Sequence, residues 1–438
     1  MKLIPLACFV LPLYVALPLG AQEGSHGAPH PAGPSLTMSQ AEHLALKNNP
    51  RIAVARLLAL AGGEVTREVR SAEMPTITGN LTAVEPHEGS RITAGALNNP
   101  IVYQRAAGGV TLSQLITDFG RLHNLVSSAD LRAKAEMSAQ AATLADVTVA
   151  VDEAFYRALG SQAVLKVAND TVSARQTTSE QVSALTNAKL KSTLDLSFAN
   201  VNLAQAELLL LDAQNANWEA MLSLNTLLGE ERPTSYVLVD ETPPVPSPAP
   251  ENPEPLVTLA FQSRPDLVSL NQQFAAAEKF RSAEHDLWKP TISALGTVGG
   301  TPVRADQITS FWFGAVGVNV SVPLFNGFLY PARAKEADLR ASAAEQHVHE
   351  LRQIIARDVR TTVLQAQSNF RRIAVTQQLL DQANSAFDLA QIRYKMGLSS
   401  IVELSQAQLA QTQAQNEYAS ARYAYQGSLA AIRYQTGQ

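Results

Sequence analysis

Residues Ser310–Leu329 read SFWFGAVGVNVSVPLFNGFL. Val316, Val318, Val320 and Val322 are apolar on one side, while Asn319 and Ser321 point the other way. That is the period-2 pattern of a strand, about 310–322, with one face in lipid or core. Pro323 ends it. After Gly327 no glycine occurs before Gly397, and the single proline, Pro331, falls in the first turn, where a helix tolerates it. The 69 residues from Phe328 to Met396 predict a helix roughly 100 Å long at ~1.5 Å per residue. A 438-residue globule has a radius of gyration of only about 22 Å. Such a rod does not fit inside one.

The same device occurs earlier. Gly109–Arg121, GVTLSQLITDFGR, runs from a strand with apolar Val110 and Leu112 into a second long helix, with Asp118 where the later copy has Asn326. An offset of 208 carries Ala129-Asp130-Leu131-Arg132-Ala133 onto Ala337-Asp338-Leu339-Arg340-Ala341 without a gap. Upstream, an offset of 215 carries Ala45, Pro50, Pro75, Thr76 and Ile77 onto Ala260, Pro265, Pro290, Thr291 and Ile292. One unit is therefore written twice, over 36–229 and 256–438, and this repeat outranks local signals in reading the fold. Between the copies, Glu230–Pro255 holds eight of the 23 prolines and reads as an extended linker.

Within each copy the pattern predicts helix, strand, strand, long helix and return helix. Strands are expected at about 76–84, 103–113, 291–299 and 310–322. The first long helix runs over Gly120–Ala188, interrupted only by Gly160, and Gly62-Gly63 marks a weak point or a close helix contact. The return helices carry seams spaced alternately three and four: Leu196, Ala199, Leu203, Ala206 and onward to Leu224, then Leu404, Ala407, Gln411, Ala414 and onward to Ile432. Small residues at alternate seam positions allow close helix packing.

The amino terminus, 1–21, reads as a signal peptide: Lys2, an apolar run to Leu19, then Gly20-Ala21. An uncleaved anchor is the alternative. Residues 22–35 read as a disordered tail in which His26 and His30, without further ligands, make at best a poor, loose metal site, and a solvated tail is the simpler reading. Cys8 is the only cysteine, so cleavage near Ala21 leaves neither a disulfide nor a thiol nucleophile. Beyond the signal no apolar run is long enough for a transmembrane helix. The net charge is -5, too acidic for a nucleic-acid binder.

Four strands of bilayer-crossing length cannot close a barrel, and an open edge in lipid leaves backbone groups unpaired. The chain is therefore expected to oligomerise, a trimer giving a twelve-strand barrel. A periplasmic coiled-coil adaptor or scaffold without a pore is the alternative, but it has no need of four such strands.

The duplicated junction Ser113-Gln114-Leu115-Ile116-Thr117-Asp118-Phe119-Gly120-Arg121, and the segment from Arg393-Tyr394-Lys395-Met396-Gly397-Leu398-Ser399-Ser400 through Glu403 and Leu404 to Ala407-Gln408, carry a resemblance. With the repeat, the mature chain resembles the outer-membrane efflux (TolC) family over nearly its whole length. The resemblance implies a mainly α protein with a small β part: a homotrimer whose strands form one outer-membrane barrel in lipid and whose helices form a periplasmic tunnel. It further implies an exit duct docked onto a periplasmic adaptor and an inner-membrane pump. Two departures stand out. Lys189 occupies the position of Gly397, so the glycine turn is missing from the first tip. The family's two gate aspartates correspond to Glu403 and Gln406, so one acidic ring is neutral.

The expected sites follow. Glu403, Gln406 and Asp195 belong to a pore gate, although helix N-terminal acids favoured by the macrodipole explain Asp195 and Glu403 equally well. Lys191 or Lys395 is the expected partner of Glu403. Met396, Gly397, Leu398, Ser399 and Lys189 form an adaptor-docking tip, and Val316, Val318, Val320 and Val322 face lipid. Phe311, Trp312 and Phe313 suit an interfacial girdle; Trp218 and Trp288 are expected to pack among helices. His347-Val348-His349-Glu350 is not a zinc-protease spacing, because histidines two apart on a helix face different ways. No catalytic residue, cofactor or metal site is expected.

Overall fold

A computed structural model describes residues 33–87, 104–241, 247–303 and 309–437. The signal peptide, Cys8, His26, His30 and Tyr103 lie outside the described residues. Strand β1 (Ser35–Leu36) leads into helices α1 (Met38–Asn48) and α2 (Pro50–Ser71), strands β2 (Thr76–Val84) and β3 (Arg105–Thr117), and helices α3 (Arg121–Asn187) and α4 (Thr193–Leu227). After β4 (Val237–Leu238) come α5 (Glu254–Ser263), α6 (Pro265–His285), β5 (Thr291–Val303), β6 (Trp312–Ser321), α7 (Leu329–Lys395) and α8 (Ile401–Gln435). Both long helices have 67 residues, about 100 Å, and both return helices have 35. The fold is mainly helical, with one small antiparallel sheet of order β2-β3-β5-β6.

Two strands run further than their sequence pattern predicts. The strand expected over about 103–113 spans Arg105–Thr117, because a register shift between Leu115 and Thr117 breaks the alternation while pairing continues to Thr117↔Ile292. The strand expected to stop at Gly299 continues to Val303, since Gly299 and Gly300 stay in the ladder opposite Gly109 and Gly108. Glycine is required at 299: a Cβ there would lie 2.4 Å from the Phe313 ring and 2.5 Å from the Gly108 carbonyl oxygen.

The helices form a layer rather than a ball. α3 packs on α2 and α4 of its own half and on α6 and α8 of the other, whereas α7 packs on α5, α6 and α8. α2 and α4 lie end to end beside α3, joined where Asn49 Nδ2 donates to the Leu227 carbonyl at 2.8 Å. The equivalent joint between α6 and α8 is Arg264, whose Nη1 donates to Gln435 Oε1 at 2.5 Å while its other nitrogens clasp Asp266. Each joint residue precedes a proline that starts the next helix, Pro50 or Pro265. The alanine seam of α4 is buried at Ala199, Ala206, Ala213 and Ala220, as its spacing predicts. α3 runs through Gly160 without a break, and a Cβ there would touch the Tyr423 ring at 3.6 Å. Gly62 is likewise a close contact rather than a weak point, 3.3 Å by the same measure from Ala133 Cα.

The Pro-rich segment is extended but not free. β4 pairs in parallel with β1, Tyr425 donates to the Ser247 carbonyl, Gln367 Nε2 donates to the Pro250 carbonyl at 2.7 Å, and Arg360 holds Glu254. Trp218 and Trp288 are both substantially exposed instead of packed among helices, Trp288 resting edge-on against Tyr330.

Candidate functional site

Each strand–helix junction is built around a polar residue that caps the helix it precedes. Asp118 accepts from the Gly120 amide through Oδ1 and from the Leu122 amide through Oδ2 at 2.6 Å; Asn326 Oδ1 accepts from the Tyr330 amide at 3.5 Å. Two consecutive left-handed residues turn the chain at each junction, Phe119-Gly120 and Gly327-Phe328.

At the opposite end the two hairpin tips close in the same way. Lys189 has φ +60 and Gly397 φ +75. Leu190 N–H donates to the Leu185 carbonyl and Leu398 N–H to the Arg393 carbonyl, both at 2.8 Å, the six-to-one bond of a Schellman motif. The turn expected to be missing from the first tip is therefore present, with lysine carrying the left-handed conformation. Met396 and Leu398 are exposed, whereas the Ser399 hydroxyl is turned inward and lacks a hydrogen bond. The residue missed from sequence is Leu190, 70% exposed against 66% for Leu398. The 208-residue offset relates the two and was the available signal.

Asp195 and Glu403 both occupy the third position of their helices. Asp195 closes a capping box: its amide donates to Ser192 Oγ at 3.1 Å and its carboxylate accepts from the Ser192 amide at 3.2 Å. The Glu403 amide donates to Ser400 Oγ at 3.3 Å, but its carboxylate turns across the hairpin to Arg393 Nε at 3.3 Å. The partner is thus Arg393, not Lys191 or Lys395. Lys191 stands over the Tyr394 ring at 4.2 Å. Arg393 and Glu403 lie equally far from Leu398, and residues equidistant from a hairpin turn face each other, a rule that locates the pair from sequence.

One helix face runs from this tip to mid-length. On α8, Glu403, Gln406, Ala410, Gln413, Glu417, Ser420 and Ala424 are all exposed at alternating spacings of three and four. The row ends in an open groove lined by Ser420, Ala424, Gly427 and Ala431 together with Ala216, Glu219 and Ser223 of α4. α3 and α7 contribute equivalent residues to the groove at the same offset: Arg157 and Gln365, Ser161 and Asn369, Val164 and Arg372. On α7 the residues that hold the Pro-rich segment, Arg360 and Gln367, lie on the opposite face. Glu403 and Gln406 therefore share the face that bears the groove, away from the strap. At the sheet end, Val316, Val318 and Val320 on one side of edge strand β6, and Val322 just past its end, are exposed, as are Phe311, Trp312 and Phe313 near its start. Among the described residues no group of acids, histidines and cysteines is placed to hold a metal ion, and no helix is long and apolar enough to cross a membrane.

A bilayer-length sheet with two open edges, continued by helices of about 100 Å, defines an outer-membrane export channel subunit. The chain belongs to the family described as outer membrane efflux protein, whose model matches residues 42–230 and 256–438. It is 25% identical over 385 residues to the solvent efflux pump outer membrane protein SrpC of Pseudomonas putida, covering 83% of this chain and 77% of that protein. It is 23% identical over 447 residues to the outer membrane protein TolC of Vibrio cholerae, covering 98% and 95%. Among solved structures, the outer-membrane channel OprN superposes with a TM-score of 0.78 at 21% identity over 91% of this chain and 89% of that one. VceC from Vibrio cholerae does so with 0.77 at 17% identity, over 91% and 96%.

Proposed function

We propose that three copies of this chain assemble into the outer-membrane exit duct of a tripartite export system, a passive conduit that takes its cargo from an inner-membrane pump through a periplasmic adaptor. The observation that carries the reading is that sheet and helical layer both end in open edges. β2 and β6 are unpaired on their outer sides. α7 exposes Leu339, Leu364, Val375 and Leu389, while α2 and α4 expose Val54, Leu57, Leu58, Val201, Leu208 and Leu211. Two different edges that must meet make a head-to-tail contact, which closes as a ring. An open edge in lipid costs several kcal/mol per unpaired backbone group, so β6 of one copy pairs with β2 of the next. Three copies of a four-stranded sheet give twelve strands, and the composite columns α2/α4 and α6/α8, alternating with α3 and α7, give the tunnel wall below it.

The pairing of all eight described left-handed residues at an offset of 208 supports a duplicated unit: 119 with 327, 120 with 328, 189 with 397 and 229 with 437. The grooved face becomes the lumen, which puts Glu403, Gln406 and Asp195 near the periplasmic mouth, and the tips Lys189–Leu190 and Met396–Ser399 meet the adaptor. The names of the relatives, efflux pump outer membrane proteins among them, agree with a pump partner. Mass measurement of the detergent-extracted protein tests the assembly: a trimer that conducts ions in planar bilayers is expected, and a monomer stably inserted in bilayers overturns it.

A further inference from the structure

Asp152 sits in the middle of α3 at 4% exposure, inside the apolar cluster of Val147, Val151, Phe155, Leu224 and Leu238. Its Oδ2 accepts from Arg433 Nη2 of α8 at 3.2 Å, whereas its Oδ1 is buried and takes no donor from any protein group. Across the α1–α3 contact Asp152 meets another carboxyl group, that of half-buried Glu42, within hydrogen-bond reach. Ala41 and Ala45 hold that stretch of α1 against the same cluster. Two carboxylates at that separation repel unless a proton lies between them, as when like acids share one site. The other charged groups acting on Asp152 are Glu153 on α3 itself and Arg433 on α8; Tyr156 of α3 lies near the pair and is itself acted on by Asp240, just after β4. Arg433 is thus the only cation among the groups identified there.

We propose that Glu42 and Asp152 form a proton-binding clasp that fastens the N-terminal helix α1, and with it the β1–β4 strand pair, to the long helix α3. With the proton bound, the Asp152 carboxyl donates to Glu42 and ties α1 down. With it gone, the two anions repel, α1 lets go, and Arg433 of α8 holds Asp152 alone. The clasp thus exchanges an α1–α3 tie for a firmer α8–α3 tie. Burial, and then the hydrogen bond and charge of Glu42, raise the Asp152 carboxyl from 3.8 to about 7, while Arg433 opposes the shift. The sign follows. When α1 is detached, Asp152 regains an ordinary carboxylate affinity, so the proton stabilises the closed clasp. That stabilisation is complete below 3.8, falls as the pH rises from there, and is gone above about 7.

Hydrogen exchange across Met38–Asn48 in the full chain, in detergent micelles from pH 5 to 8.5 and corrected for the intrinsic rate, tests this. The opening constant of α1 is expected to rise by up to about tenfold per pH unit below about 7 and to level off above it. Asp152→Asn keeps a donor for Glu42 and cannot ionise, so it should flatten the profile with α1 protected throughout. Glu42→Gln removes the second charge but leaves the burial that raises Asp152 most, so it should move the levelling-off to lower pH, which supplies the answer if the first variant does not assemble. A wild-type profile already flat over this range overturns the clasp, as does either variant that folds and keeps the wild-type profile, slope and levelling-off alike.

Discussion

At Lys189 the chain adopts a conformation that costs a residue with a Cβ about 1–2 kcal/mol, yet the tip keeps the geometry that Gly397 gives the other hairpin. The hydrogen bonds and the apolar cluster below the two turns, which gathers Val182 and Ala199 of the first hairpin with Ala390 and Leu404 of the second, outweigh that strain. This is why the missing glycine misled: local propensity ranked Lys189 correctly as unfavourable, but tertiary contacts fixed the turn. Lys189→Gly should therefore stabilise the first tip by about 1 kcal/mol, seen as slower exchange of the amides around 185–192. Gly397→Val should loosen the second tip by at least as much. Equal exchange in Lys189→Gly and the parent would mean that the lysine is unstrained. The helix-terminal place of Asp195 was legible because it falls just past a hairpin turn, whereas the Arg393–Glu403 pair needed the mirror symmetry of a hairpin, which a search for neighbouring lysines does not use.

Strands and helices were read with unequal success, for reasons their chemistry supplies. The long helices were plain because nearly 70 residues without an interior proline leave little else possible. β6 was plain because its valines alternate. β3 and β5 were read short because a register shift and paired glycines carry no alternation, although backbone pairing continues through them. The faces of β6 make a sharp test of the barrel. If Val318 points to lipid, Val318→Arg costs about 2–4 kcal/mol near the midplane and should sharply reduce the yield of assembled protein in outer-membrane fractions. Asn319→Arg, on the other face, should be tolerated, because it enters a water-filled lumen. Loss of assembly in both variants, or in neither, would place the strand elsewhere.

Across the whole molecule, the proposed ring of three copies would bring the tips together, and what closes the mouth is then an electrostatic question. In that ring the proposed lumen-facing row would set three Glu403 carboxylates against each other, and Gln406, one turn deeper, adds no charge. Each Glu403 is held by Arg393, but both side chains are about half exposed, and a pair of that kind stabilises by only about 0–1 kcal/mol. Such a tie would break easily under the proposed grip of an adaptor on Leu190 and Leu398 just beyond it. On the proposed assembly the undocked mouth carries acid partly neutralised by arginine, and the net sign of the field decides which ions enter. Arg393→Ala should uncover the acidic ring and raise cation preference, whereas Glu403→Gln should leave Arg393 unopposed and lower it, with weaker block by multivalent cations. Single-channel recordings in a salt gradient measure both, and the two reversal potentials should move in opposite directions. Screening shortens such fields to about 8 Å at 0.15 M salt, so the difference should shrink in concentrated salt. Channels of both variants that keep the parental reversal potential would remove Glu403 from the lumen and leave it as a helix-terminal acid.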